Sequence, residues 1–184
     1  MRIGIHQPNF FPYYPFFQKV QNCDLFVIMG HCQFEKNNYQ NRFQYKDKWH
    51  TLSVQKGSLS DNIIDKEYIN PVKDWNKIKA NLKGFKLDQF DYCIKESLFE
   101  TNYGIIQHAC DLLGIETKLT TDFKTGHTGT QRLIEICKNY GAREYLSGIS
   151  GKHYLDLEAF KRNGIKVVFQ NELEMIKRPL IEMI

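Results

Sequence analysis

Two prolines four residues apart, Pro8 and Pro12, follow at once on the run Arg2-Ile3-Gly4-Ile5, and this junction limits the fold more than any other stretch of the chain. Ile3 and Ile5 alternate with Arg2 and Gly4, the period of a short strand with one buried face. The prolines remove backbone donors and fix φ, so neither a ladder nor a helix can run through His6-Gln7-Pro8-Asn9-Phe10-Phe11-Pro12. A rigid irregular loop is expected there, polar at its start and aromatic at its end. Tyr14, Phe17, Val20 and Gln21 then mark a helix that ends near Asn22. A loop between the carboxyl end of a first strand and a helix is where open α/β sheets place their ligand crevice. His6, Gln7 and Asn9 are therefore expected to face a bound small molecule.

The continuous apolar run Leu25 to Met29 fits a second strand, buried on both faces and parallel to the first. Gly30-His31-Cys32-Gln33-Phe34 leaves its carboxyl end, beside the first loop if the two strands are neighbours. From Glu35 to Lys48 the chain is polar, with Asn37, Asn38, Gln40, Asn41 and Arg42 among aromatic residues; such amides are costly to bury unpaired, so they lie on the surface or meet a ligand. Trp49 to Val54 alternates as a strand, Glu67 to Ile69 reads as another, and Gly57 to Asp65 between them reads as a mobile loop. Asn70-Pro71 opens a helix with its apolar face on Trp75, Ile78, Leu82 and Phe85. Two more helical stripes follow, Phe90-Ile94-Leu98 and Ile105 to Leu113, the latter closed by Gly114. Residues of about 71 to 114 thus form a helical insertion covering the sheet. The last third returns to strand and helix in turn: a strand at Glu116 to Thr121, a helix after a capping box at Thr128-Gly129-Thr130-Gln131, a strand at Glu144 to Leu146, a helix from Tyr154 to Arg162 and a strand from Ile165 to Phe169. Strands separated by helices of this length predict one α/β domain over 1–184, with a Rossmann-like, mostly parallel sheet flanked by helices.

Composition narrows the function classes. A hydrophobic content of 42% with 25% charged residues in 184 suits one globular domain. The absence of an apolar run of membrane-spanning length, or of a leader of signal-peptide form, predicts a cytoplasmic protein with no membrane span. The five cysteines are scattered with no C-x-x-C pair, which predicts reduced thiols rather than disulfides or a zinc site. A net charge of +4 without a dense basic block suits a small anionic ligand and argues against nucleic acid.

Within this frame His6 is the favoured general acid or base, because imidazole titrates near neutrality; the plainer alternative is a ring that only hydrogen-bonds its own loop. Gln7 and Asn9 offer amide donors and acceptors to a sugar. Arg42, with Gln33 and Asn41 beside it, could hold two oxygens of a phosphate or carboxylate, or else form a surface ion pair. His31 with Cys32 admits a thiolate nucleophile or, with His6, a metal site, against the ordinary reading of a small buried thiol; no metal is assigned. Ser147-Gly148 and Ser150-Gly151 have the composition of a phosphate-cradling loop and equally of a tight turn.

The ordered series His6-Gln7-Pro8-Asn9-x-x-Pro12, Asp24-x-Phe26-Val27, Gln33-Phe34, Asn41-Arg42, Arg132-Leu133-Ile134, Cys137, Gly141-Ala142, Tyr145-Leu146-Ser147-Gly148, Gly151, Tyr154-Leu155-Asp156, Phe160 and Gly164-Ile165 resembles the WbqC-like family. The resemblance implies a bacterial protein tied to O-antigen and other surface-polysaccharide gene clusters, and it looks like a sugar-modification enzyme. On that basis the expected activity is transfer of an acyl or aminoacyl group to the amine of a nucleotide-linked sugar, with acyl-coenzyme A or ATP as the source of the activated donor and no further cofactor assigned. His6, Gln7 and Arg42 would be catalytic; Asn9, Gln33, Asn41, Ser147, Gly148, Ser150 and Gly151 would bind substrate. Two other readings stay open: a non-catalytic sugar-nucleotide or partner-binding module, homo-oligomers included, and an adenylating enzyme similar to the nucleotidyltransferases. The chain departs from the family pattern in having Gly30 and His31 where two acidic residues usually follow the second strand, and in stopping sooner after its final strand.

Overall fold

The computed structural model describes residues 1–58, 61–171 and 178–184. Five parallel strands make the main sheet: β1 (Arg2–His6), β2 (Leu25–Ile28), β5 (Lys118–Thr121), β6 (Glu144–Ser147) and β7 (Lys166–Phe169), in the order β5-β2-β1-β6-β7. An antiparallel hairpin, β3 (Arg42–Tyr45) and β4 (Lys48–Thr51), stands apart from it. The helices are α1 (Tyr14–Gln21), α2 (Pro71–Asn81), α3 (Leu98–Leu112), α4 (Gly129–Asn139) and α5 (Leu157–Arg162).

Strand register explains the layering. Ile3 and Ile5 of β1 pair with Leu25 and Val27 of β2, and these four pack with Ile134, Ile136 and Cys137 of α4 and Phe160 of α5. Phe26 and Ile28, one residue out of phase, point to the other face and join a larger core with Phe17 and Val20 of α1 and with the insertion. Gly4 shares that second face, where a Cβ would meet the Phe26 ring at 2.6 Å and the Cys23 sulfur at 2.8 Å. The chain builds outward from β1 through β2 to β5, then returns to β6 on the other side of β1. The direction of winding thus reverses between β1 and β6, and the crevice of such a sheet opens there.

The insertion between β2 and β5 is larger than its helical pattern suggests. Arg42, expected at the end of a crevice-lining segment, instead opens β3 of the hairpin. Its turn residues Lys46 and Asp47 both take left-handed φ, 45° and 61°, without the glycine that marks such turns in a sequence. The expected helix around Phe90 is a 3₁₀ segment, Leu87–Cys93, and α3 begins only at Leu98, where the Ser97 hydroxyl caps the Glu100 N–H. Glu67 to Tyr68 forms single bridges to Ser97 and Val54 rather than a strand. Of the expected mobile loop, residues 59 and 60 lie outside the described residues, while Ile63 is fully buried and its N–H bonds the Cys32 carbonyl at 2.9 Å. Thr128 precedes α4 without a side-chain cap, so the capping box does not form; Thr128 and Gly129 line the cleft described below.

The insertion clamps the proline loop. Phe11 holds a left-handed φ of 49° and packs its ring against Trp75 at 5.4 Å and Phe90 at 5.0 Å. Fully buried Asn102 of α3 donates through Nδ2 to the Pro8 carbonyl at 2.7 Å and to the Gln40 carbonyl at 2.6 Å. From the far end, the Arg178 carbonyl accepts the Tyr14 N–H at 2.8 Å, Pro179 bridges Tyr13, and Leu180 and Ile181 are buried.

Candidate functional site

A cleft of about 970 Å³ opens over the carboxyl ends of β1, β2 and β6. Its walls are the proline loop, the segment after β2, the loop from β5 into α4, and the loop after β6. Of the residues singled out in the sequence, His6, Gln7, Asn9, Gln33, Gly148, Ser150 and Gly151 line it. Arg42 does not: its guanidinium stacks on Trp49 at 4.0 Å and bonds the Asn37 carbonyl. Asn41 donates to the Leu52 carbonyl at 2.9 Å within the hairpin, and the Ser147 hydroxyl donates to the Gly148 carbonyl at 3.0 Å, buried beneath the loop rather than in its wall.

His6 ends β1. Its Nδ1 lies 2.9 Å from the Gln7 carbonyl, so Nδ1 carries the proton and Nε2 keeps the lone pair. Burial, and then the nearby Lys19 ammonium, hold this imidazole down to about 4, against the pull of the carbonyl; it is neutral at physiological pH. Gln7 is fixed by the Gln40 amide, which donates to Gln7 Oε1 at 2.8 Å and accepts the Glu35 N–H at 2.9 Å.

The cleft also holds groups that sequence reasoning missed. Asp122, just past β5, is buried, and its Oδ1 accepts from the Gly30 N–H at 2.8 Å, the His31 N–H at 3.2 Å and His31 Nδ1 at 3.1 Å. Its Oδ2 accepts from Arg132 of α4, whose other terminal nitrogen bonds the His31 carbonyl. Both carboxylate oxygens thus have donors, and the His31 ring is held with Nδ1 protonated and Nε2 free. His31 is partly exposed and lines the cleft. A carboxylate thus does stand beside Gly30 and His31, supplied by the residue that follows the neighbouring strand β5. No local signal joins residues 31, 122 and 132; only the register Ile28 to Thr121 brings them together. Beside them, burial pushes the Cys32 thiol up to about 12 despite Arg132, which leaves it protonated and a poor nucleophile. Burial likewise raises the other four thiols, and all five cysteines are free.

Lys19 of α1, Lys124 and Arg132 bring three cationic side chains to the lining, Arg132 paired with Asp122, and Glu35 brings a carboxylate. Among the described residues no group of three or more His, Cys, Asp or Glu side chains converges as metal ligands would, and no helix is long and apolar enough to cross a membrane.

Fold and cleft together define an α/β protein with a polar cleft where its sheet changes direction. The chain belongs to the WbqC-like protein family, which matches residues 7–176. It is similar to the uncharacterized protein Rv1507c of Mycobacterium tuberculosis (strain ATCC 25618 / H37Rv), with 26% identity over 189 residues, covering 91% of this chain and 81% of that protein. No solved structure matches the chain.

Proposed function

We propose that the protein is a transferase that moves an acyl or aminoacyl group onto the amine of a nucleotide-linked sugar during assembly of surface polysaccharide such as O-antigen. The observation that supports this best is the His31–Asp122 pair: an imidazole oriented by a buried carboxylate, with its free nitrogen in a basic cleft. Such a pair suits proton removal from an attacking amine. The amine nitrogen forms a bond to the acyl carbon, His31 Nε2 takes the amine proton, and the bond to the thioester sulfur or phosphate oxygen of the donor breaks. Asp122 holds the ring and balances the imidazolium. The protonated Cys32 argues for direct transfer rather than an acyl-thiol intermediate. His6, neutral and with Nε2 as an acceptor, lines the cleft and suits binding a substrate hydroxyl or amine better than holding a proton. Gln7, Asn9 and Gln33 offer amides to the sugar, and the Gly148 to Gly151 loop with the basic wall suits the diphosphate or coenzyme.

A thermal-shift screen of nucleotide sugars, acyl-coenzyme A and ATP, followed by a turnover assay on the pair that binds, tests the reading. A ligand at about 100 times its dissociation constant adds about 2.7 kcal/mol of stability. His31→Ala is expected to lower kcat by roughly 10²- to 10⁴-fold while leaving ligand binding within a few-fold. Stabilisation by a nucleotide sugar with no turnover would instead support a binding module, and a response to ATP alone would support adenylation.

A further inference from the structure

Lys19 lies at the bottom of the cleft, 3% exposed, and no step above uses it. Its Nζ donates to the Ile5 carbonyl at the end of β1 at 2.7 Å and lies 5.8 Å from the ring centroids of both Phe26 and Tyr145. Among the described residues it has no carboxylate partner and no acceptor besides that carbonyl. The contrast within the molecule is sharp: Lys66, buried to the same degree, pairs with Asp61 at 2.6 Å. A buried lysine without a counter-charge is rare, because desolvating an ammonium costs several kcal/mol unless something answers it.

We infer that Lys19 is the cation of an anion subsite at the cleft floor, which takes a phosphoryl or carboxylate group of the ligand directly on its ammonium. The surroundings leave room for this. Gly148 and Gly151 of the loop after β6 line the cleft without side chains, and at Gly151 none fits, since a Cβ there would collide with Ser147 Oγ and come within 2.9 Å of Leu155. His6 beside Lys19 is neutral and does not repel the ammonium. Two donors of the ammonium remain for ligand oxygens, and the aromatic rings of Phe26 and Tyr145 keep the local dielectric low, which strengthens the pairing. The inference rests on the cleft being the ligand site, as proposed above, but not on the transfer chemistry.

The pH dependence is specific. Burial lowers the Lys19 ammonium to about 8. The titratable groups that face it are His6 from β1, held down to about 4; Cys23 from the turn after its own helix, pushed up to about 12; and Tyr145 from β6, raised by burial. Arg2, Asp24 and Glu144 lie beyond Cys23. Between neutrality and mild alkali, Lys19 is thus the group of this cluster that changes charge, and it loses the charge that an anion needs.

Inorganic sulfate, inorganic phosphate and acetate, titrated separately into the full chain by calorimetry, provide the test. For the anion that binds, affinity in the wild type should fall at least about tenfold between about pH 7 and 9.5, following loss of the ammonium, and should fall by a similar factor in Lys19→Met at neutral pH. Sulfate and phosphate binding without acetate identifies a phosphoryl subsite; acetate alone identifies a carboxylate subsite. Binding that is flat across this range in the wild type, equal affinity in Lys19→Met, or no binding of any of the three anions overturns the inference. The wild-type pH profile decides the matter even if the variant does not fold. Because no turnover is measured, anion binding can be lost or kept independently of the transferase reading.

Discussion

At the scale of single residues, Arg42 and Lys19 exchange the roles that their sequence contexts suggest. Arg42 sits among amides in a polar stretch and looks like a phosphate fork, yet its guanidinium is spent on Trp49 and the Asn37 carbonyl. Lys19 looks like one more solvent-facing lysine near the end of an amphipathic helix, yet it is buried beneath the cleft. The difference is tertiary: α1 packs flat against the sheet with Phe16, Phe17 and Val20, and the same face carries position 19 under β1. Arg42→Ala is accordingly expected to leave the affinity for a cleft ligand within about twofold, while costing about 1 kcal/mol of stability through the lost stacking and hydrogen bond. Titration and urea denaturation of the same variant check the two halves. His6, Gln7 and Asn9 were legible because a strand that ends in a proline-locked loop fixes its own position. His31 was legible only as a histidine at a strand end; its partner Asp122 stands 91 residues away, and no local pattern encodes that pairing.

Among the elements, those read correctly from the sequence have patterns that close locally. β1, β2, β6 and β7 show short apolar runs, and α4 and α5 end at Gly141 and Gly164, both with left-handed φ. The strand at β4 was legible in the alternation from Trp49, but β3 and its pairing with β4 escaped because the turn between them has no glycine and β3 lies in a polar stretch. The insertion reads as a lid of helices, but its chief service is to buttress the proline loop from behind. Asn102 carries that duty: a single side-chain amide ties α3 to the loop at Pro8 and to the segment after β2 at Gln40. Asn102→Ala leaves two carbonyls in a buried place without a donor, a cost of about 2–4 kcal/mol. Because Gln40 also positions Gln7, the variant is expected to weaken ligand binding several-fold, although residue 102 does not line the cleft. Guanidinium unfolding and a ligand titration on the surviving folded protein measure both effects, and intact binding would separate the buttress from the site.

For the whole molecule, the buried titratable groups set a pH profile. His6 titrates near 6.5 when unfolded and about 4 when folded, so the unfolded chain binds more protons between these values. Stability is therefore full above the unfolded value and falls as pH drops toward 4, by at most about 3 kcal/mol from this group. The thiols act in reverse. Raised from 9 to about 12 by burial, Cys23, Cys32, Cys110 and Cys137 lose protons more readily when unfolded, so stability falls as pH rises above 9. Lys19, lowered from 10.5 to about 8, opposes them by binding its proton less tightly in the fold, a gain that grows from pH 8 to 10.5. Denaturant midpoints across the range should thus show an optimum at about pH 7–9, and the Lys19→Met curve should lose the opposing alkaline contribution.

The clamp of Arg178 and Pro179 on Tyr13 and Tyr14 joins two stretches that are far apart in sequence. Cutting the chain just ahead of Arg178 spares every strand of the main sheet, since β7 closes at Phe169, yet it strips Tyr14 of its backbone partner where the proline loop enters α1. A distant tail thus tightens the cleft from outside its lining.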